Sequence, residues 1–132
     1  MKGFYKNIVD ATKQNSFFRR VLFTGKYCQL VVMNLKPGEE IGMEAHDTVD
    51  QFFRFETGAG KVIIDGEEFA VKDDFVIIVT AGSWHKVINT SQTDDLKLYT
   101  IYSPPNHPDG TIHKTKIEAE IYEQEQHKKD TA

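Results

Sequence analysis

Short apolar blocks alternate with polar breaks along most of the chain, at strand rather than helix spacing. Phe17 to Phe23 is apolar and aromatic around a basic pair, Arg19-Arg20, which reads as a solvated rim. Tyr27 to Leu35 carries the continuous run Leu30-Val31-Val32-Met33 and predicts a clear strand. Lys61 to Asp65 and Phe69 to Val71 flank Asp65-Gly66, a dipeptide that favours a tight hairpin. Phe75 to Val79, Trp84 to Asn89 and Leu96 to Tyr102 complete the set, with Lys97 facing out. Turn residues fall between them at Thr24-Gly25-Lys26, Lys36-Pro37-Gly38, Lys72-Asp73-Asp74 and Thr80 to Ser83. Ser103-Pro104-Pro105 stops the last strand, because proline cannot donate to a ladder.

Helical signal is confined to the ends. Ile8, Val9, Ala11 and Lys13 allow one or two turns, and Thr115-Lys116-Ile117-Glu118 is a capping-box pattern for a helix running to about Gln126. About eight short strands without intervening helices predict an all-β, antiparallel sandwich or barrel, and argue against a βαβ fold. The division expected is an N-terminal strand and extension over 1–26, a barrel over 27–103, and a C-terminal loop and helix over 104–132.

At 132 residues the chain is one domain by length, long enough to build a core without disulfides. Its 16 basic and 20 acidic residues, with no basic cluster, give no nucleic-acid footprint. No run approaches the apolar length of a membrane span, and the N-terminus has no apolar signal region. The single cysteine, Cys28, cannot pair internally, which points to a reducing, cytoplasmic setting. Its place in a strand predicts a buried, inert thiol.

The stretch from Gly38 to Gly58 concentrates the chemistry. Glu44 and His46 stand two apart, so on a strand both side chains leave the same face. Gln51 lies at an odd step from His46, so it shares that face only if a turn at Asp47 to Asp50 starts a new strand. His85, in another strand, offers a second imidazole. A carboxylate, two imidazoles and a carboxamide form a plausible metal-ligand set.

These residues resemble the cupin superfamily. Gly38, Glu44, His46, Gln51 and Gly58 fall in register on its first motif, G-x5-H-x-H-x3,4-E-x6-G. Asp74, Thr80, Gly82, His85 and Asn89 fall on the second, G-x5-P-x-G-x2-H-x3-N. The resemblance implies a cupin-type β-barrel (jelly roll) with one divalent ion, of iron, manganese, zinc or nickel, held by Glu44, His46, Gln51 and His85. Two ligand positions depart from the motif. Glu44 replaces the usual first histidine and Gln51 the usual glutamate, so a carboxylate is gained at one position and lost at the other. Glu44, His46 and His85 then make a two-His-one-carboxylate set, with Gln51 a weak fourth ligand or a hydrogen-bond partner. The segment after the last strand is similar to that of small bacterial cupins called mannose-6-phosphate-isomerase-like. A glutamine at position 51 is similar to the uronate-processing KdgF type.

The resemblance therefore implies metal-assisted isomerisation or tautomerisation of a small polar, sugar-derived molecule. Oxygenation is the rival enzyme reading, and a ligand-binding or sensing module without turnover is the non-enzyme one. An isomerase needs a proton carrier beyond the ligands, for which His113, His107 and Tyr102 are the candidates. The segment 106–113, with both of those histidines, is either a lid over the site or an external connector to the last helix. A homodimer is expected through the apolar strand near 17–23, which has little of its own to cover it. Nucleic acid and membrane are not expected as partners.

Overall fold

The computed structural model describes residues 3–131, with side chains through Lys128. A short helix α1 (Ile8–Gln14) precedes ten strands: β1 (Arg19–Thr24), β2 (Gln29–Leu35), β3 (Glu40–Glu44), β4 (Asp50–Thr57), β5 (Ala59–Ile64), β6 (Glu67–Lys72), β7 (Val76–Val79), β8 (His85–Asn89), β9 (Leu96–Ser103) and β10 (Ile112–His113). Helix α2 (Lys116–Thr131) follows. The strands form two antiparallel sheets, a six-stranded one in the order β10-β1-β2-β9-β4-β7 and a four-stranded one in the order β3-β8-β5-β6. Facing each other, they build the jelly-roll sandwich that the pattern of strands and turns predicts.

The strand count exceeds the expected eight because the Gly38–Gly58 stretch is divided into β3 and β4 by a turn at Asp47-Thr48, and because β10 adds a two-residue edge. The core is the inner face of both sheets. Val31, Met33, Leu35, Phe53, Phe55, Leu96 and Leu98 from one sheet meet Val62 and Val87 from the other, all fully buried. β2 reads as an unbroken apolar run because both its faces are covered, the inner by the core and the outer by α1. α1 starts at Asn7, whose side chain accepts from Asp10 N. It is fastened at its other end by Lys97, which does face out but donates to Asn15 O at 2.7 Å and Asn34 Oδ1 at 2.9 Å.

The hairpin at Asp65-Gly66 forms as expected, with both residues at positive φ (46° and 85°) and β5 paired to β6. Asp74 stands where the second cupin motif has glycine, and its φ of 72° explains that preference. Gly58 has φ 112°, and a side chain there would meet Asp95 O at 2.7 Å. α2 opens with half of the expected capping box. Thr115 Oγ1 accepts from Glu118 N at 3.2 Å, while Glu118 Oε2 accepts from Lys114 N rather than from Thr115 N.

Three expectations are corrected. Cys28 is exposed and precedes β2, because the strand begins at Gln29. The basic pair is not a rim: Arg19 is 2% exposed and only Arg20 faces solvent, since alternation along β1 puts Arg19 on the face of Val21. The strand near 17–23 is not left bare, because β1 is paired to β2 on one side and to β10 on the other. That removes the reason given for dimerisation through it. Among the described residues, no helix is long and apolar enough to cross a membrane.

Asn89, the last residue of the second motif, fastens the end of the sandwich away from the histidines. Buried, it donates to Leu35 O at 3.0 Å and Asp94 O at 2.9 Å and accepts from Ser91 N at 2.9 Å. Asn89→Ala strands buried carbonyls and should cost about 2–3 kcal/mol of stability by urea denaturation. A loss under about 0.5 kcal/mol, the range of an ordinary surface change, would contradict this role.

Candidate metal centre

Glu44 ends β3 and lies opposite His85, the first residue of β8. A bulge between Ile41 and Glu44 breaks the register just before the carboxylate. His46 follows β3 in the short connection to β4. Its carbonyl accepts from Gly82 N at 2.9 Å, and Asp50 Oδ1 accepts from Ala81 N at 2.9 Å, so the two motif loops are tied together behind the site. The turn at Asp47-Thr48 then brings Gln51 in β4 to the same side, as the odd spacing required.

Among the described residues, Glu44, His46 and His85 each offer one ligand atom within 4.8 Å of the others. Glu44 Oε2 is 3.4 Å from His46 Nε2 and 3.9 Å from His85 Nε2. Both Nε2 atoms are buried and make no hydrogen bond. His85 Nδ1 lies 3.4 Å from Ser83 O, so the proton sits on Nδ1 and the Nε2 lone pair is turned into the cluster. The edge of His85 rests on Phe53, ring centroids 5.9 Å apart.

Gln51 has the same character. Thr100 Oγ1 donates to Phe52 O at 2.8 Å, so it can take a hydrogen bond only as an acceptor, and Gln51 Nε2 supplies one at 3.0 Å. That fixes the amide orientation and leaves Oε1 buried without a partner. Two unpaired imidazole nitrogens and an unpaired amide oxygen beside a carboxylate are a poor arrangement for a dry polar pocket and a suitable one for a cation. The residues present therefore fit a divalent ion.

The surroundings set the charges. Burial works against ionisation of Glu44, but His46, Arg19 and His85 outweigh it and hold the carboxyl below its ordinary value. Burial lowers His85, against the opposing pull of Ser83 O and Glu44, and favours the neutral, ligating ring. Tyr102 pairs with Gln51 across β4 and β9, and its ring lies edge-on to His46 at 6.0 Å. Burial raises its phenol well above the ordinary range and keeps it protonated.

The candidate proton carriers divide. His107 Nε2 is 3.2 Å from Tyr102 Oη, and burial, aided by the Arg19 charge, pushes its pKa down to about 3. His113 is placed elsewhere: its Nδ1 accepts from Arg19 Nη1 at 3.2 Å, and its ring packs on Tyr122. The segment 106–113 is not a free lid; it runs along the outside, with Asn106, Pro108, Asp109 and Gly110 exposed, and leads into β10 and α2. Gln29 grips it, accepting from the backbone N of Asn106 and His107 and donating to His107 O, and β10 then pairs with β1. The element lying over the mouth is α2. A cavity of about 250 Å³ between α2 and the sheets reaches the cluster through Glu44 and Arg19, while neither His46 nor His85 borders it. Arg19 and Gln29 went unrecognised in the sequence. The available signal was alternation, which sets Arg19 on the inner face with Val21 and Gln29 with Val31.

The family model for the cupin domain matches residues 31–102. The chain belongs to the cupin domain family. An uncharacterised protein of Bacillus subtilis strain 168, YrkC, is 53% identical over 124 residues, covering 89% of this chain and 66% of that protein, so the chain spans about two thirds of this relative. A crystal structure of a Bacillus halodurans protein superposes with a TM-score of 0.87 at 45% identity, over 89% of this chain and 93% of that one. KdgF from Halomonas sp. superposes with a TM-score of 0.62 at 17% identity, over 67% of this chain and 78% of that one, a likeness of fold alone. The cupin motifs in the sequence thus correspond to the fold, and the Glu-His-His cluster sits where they converge.

The lowered histidines predict that this cupin loses stability in acid. His85, His107 and His113 all sit below the ordinary 6.5. The unfolded chain takes up protons there that the folded form refuses, so their stabilising effect is full above that value and is lost as pH falls below it. For His107 the loss continues down to about 3. In EDTA-treated protein the unfolding free energy, read by urea denaturation, should fall between about pH 7 and pH 5, with a slope of up to about 1.4 kcal/mol per pH unit for each such group. His107→Gln should flatten the dependence. An unchanged slope in that variant would show that His107 titrates normally.

Proposed function

We propose that this cupin binds one divalent metal ion through Glu44, His46 and His85, with Gln51 Oε1 as a weaker fourth donor, and that the centre acts on a small, oxygen-rich, sugar-derived molecule. The observation that carries the reading is the convergence of two buried, unpaired imidazole nitrogens on the Glu44 carboxylate, with the unpaired Gln51 Oε1 on the same side. Two imidazoles and one carboxylate leave open positions on such an ion. When bound, the ion supplies polarisation of a carbonyl or hydroxyl oxygen.

The chemistry proposed is isomerisation or tautomerisation, in which a proton moves between neighbouring atoms of the bound molecule. Tyr102 and His107 are the proton-holding pair beside the ligands, linked at 3.2 Å. Tyr102 stays protonated and His107 stays neutral, so the phenol gives its one proton towards a ligand oxygen while His107 Nε2–H donates to Oη behind it. The same pKa values favour a second reading. Tyr102 is held protonated and the pKa of His107 is pushed down to about 3, so neither is poised near neutral pH to take a proton from carbon, which suits a binding or sensing module without turnover.

Elemental analysis of protein purified without added metal tests the first step. One equivalent of a divalent ion is expected, and iron would bring the oxygenase reading forward. His46→Ala should stay folded by circular dichroism and lose the ion, and full retention would remove His46 from the ligand set. Gln51→Leu, which deletes Oε1 but leaves Thr100 bonded to Phe52, should weaken metal affinity by about tenfold or more. Unchanged affinity on titration would place Gln51 outside the coordination sphere.

A further inference from the structure

Arg19 is a buried cation whose charge supports Glu44 but whose hydrogen-bond donors the ligand cluster leaves largely unused. It opens β1 and is 2% exposed. Nη1 is engaged by His113 Nδ1 at 3.2 Å, but Nε is buried without any partner. A guanidinium offers five donors in a rigid fork, and burying one of them unmatched is costly. The one carboxylate recorded against it, Glu123 from α2, is 3.6 Å from Nη1, too far for a hydrogen bond, and its side chain is 54% exposed. Glu123 is a loose outer counter-ion.

Arg19, Glu44 and Glu123 all border the 250 Å³ cavity under α2. Other charges at that rim are already matched: Glu40 with Lys86 at 2.9 Å, and Lys116 with Glu120 at 3.7 Å. With a divalent ion in place, Arg19 and Glu44 cancel and the ion's charge remains uncompensated except by Glu123. Such a cavity attracts an anion.

We infer that Arg19 anchors the anionic end of the bound molecule, so that the ligand of this cupin is a small hydroxy-carboxylate. The inference rests on the metal reading above for the other end of the ligand. A carboxylate matches the planar fork of Nε and Nη2, leaving Nη1 to His113 and Glu123, while a hydroxyl or carbonyl oxygen of the same molecule lies towards Glu44. With the nearby lysines already paired, one fork suits the single charge of a carboxylate better than the double charge of a phosphate.

Calorimetric titration tests this with D-gluconate and with D-sorbitol, which has the same carbon chain with a hydroxymethyl group in place of the carboxylate. The protein is used both loaded with one equivalent of manganese and treated with EDTA. Gluconate should bind the loaded protein at least about tenfold more tightly than sorbitol. Arg19→Gln loaded with one equivalent of manganese should lose about tenfold or more in gluconate affinity, and Glu123→Gln should gain severalfold by removing a repelling carboxylate. Equal binding of the two probes, binding of neither, or wild-type gluconate affinity in metal-replete Arg19→Gln overturns the inference. If Arg19→Gln does not fold, the half-exposed Glu123→Gln decides, and unchanged affinity there overturns it. Failure of the metal reading shows separately, as wild-type protein that holds no manganese. The gluconate preference of EDTA-treated protein, lost with Arg19, then still reports on the anchor.

Discussion

Everything at this site depends on keeping a carboxylate ionised inside a largely buried pocket. Glu44 is desolvated, and that alone would favour its neutral form. Arg19 and the two imidazoles reverse the preference. The three sources act from different places in the chain: Arg19 from β1, His46 from the turn after β3, and His85 from β8. The jelly roll is what brings them together, because β3 and β8 are neighbours in one sheet while β1 lies in the other. A local distortion in any of these strands would reach the charge of Glu44.

The barrel supports that balance by committing polar groups elsewhere. Gln29 has both ends of its amide occupied, by Thr24 Oγ1 and His107 O on one side and by two backbone N–H groups on the other. Asn89 is similarly saturated at the far end. Gln29 and Asn89, with full sets of partners, hold the fold, whereas Arg19, His46, Gln51 and His85 each keep one unmatched atom near the cluster; two further unmatched atoms, Arg54 Nε and Glu56 Oε2, lie against each other at 3.8 Å.

Much of this was legible in the sequence. Alternation and turn residues specified an antiparallel sandwich, and the spacing of Glu44 and His46 placed them together. Gln51 needed a turn to join them, and the turn is there at Asp47-Thr48. The rest failed for physical reasons. A two-residue strand such as β10 has no periodicity to read, since pairing with β1 rather than its own composition makes it a strand. Arg19 was misread because a basic residue is taken as solvated unless a buried partner is known, and its partners His113 and Glu123 lie far along the chain. The segment 106–113 could not be placed because Gln29, which holds it, gives no local sign of its reach.

The exchange of ligand types also has a structural cause. In β4 the side chain at position 51 faces Thr100, whose hydroxyl proton is already given to Phe52 O. Thr100 therefore needs a donor at position 51. Glutamine supplies it through Nε2 and still presents an oxygen to the cluster, while an ionised glutamate would set two acceptors against each other in a buried site. With Thr100 present, the carboxylate is better placed across the pocket. Position 44 serves because Arg19, His46 and His85 compensate a charge there. Glu44, Gln51, Thr100 and Arg19 are in this sense one unit: the carboxylate moved, the amide remained to satisfy the threonine, and the buried arginine made the new position electrostatically tolerable.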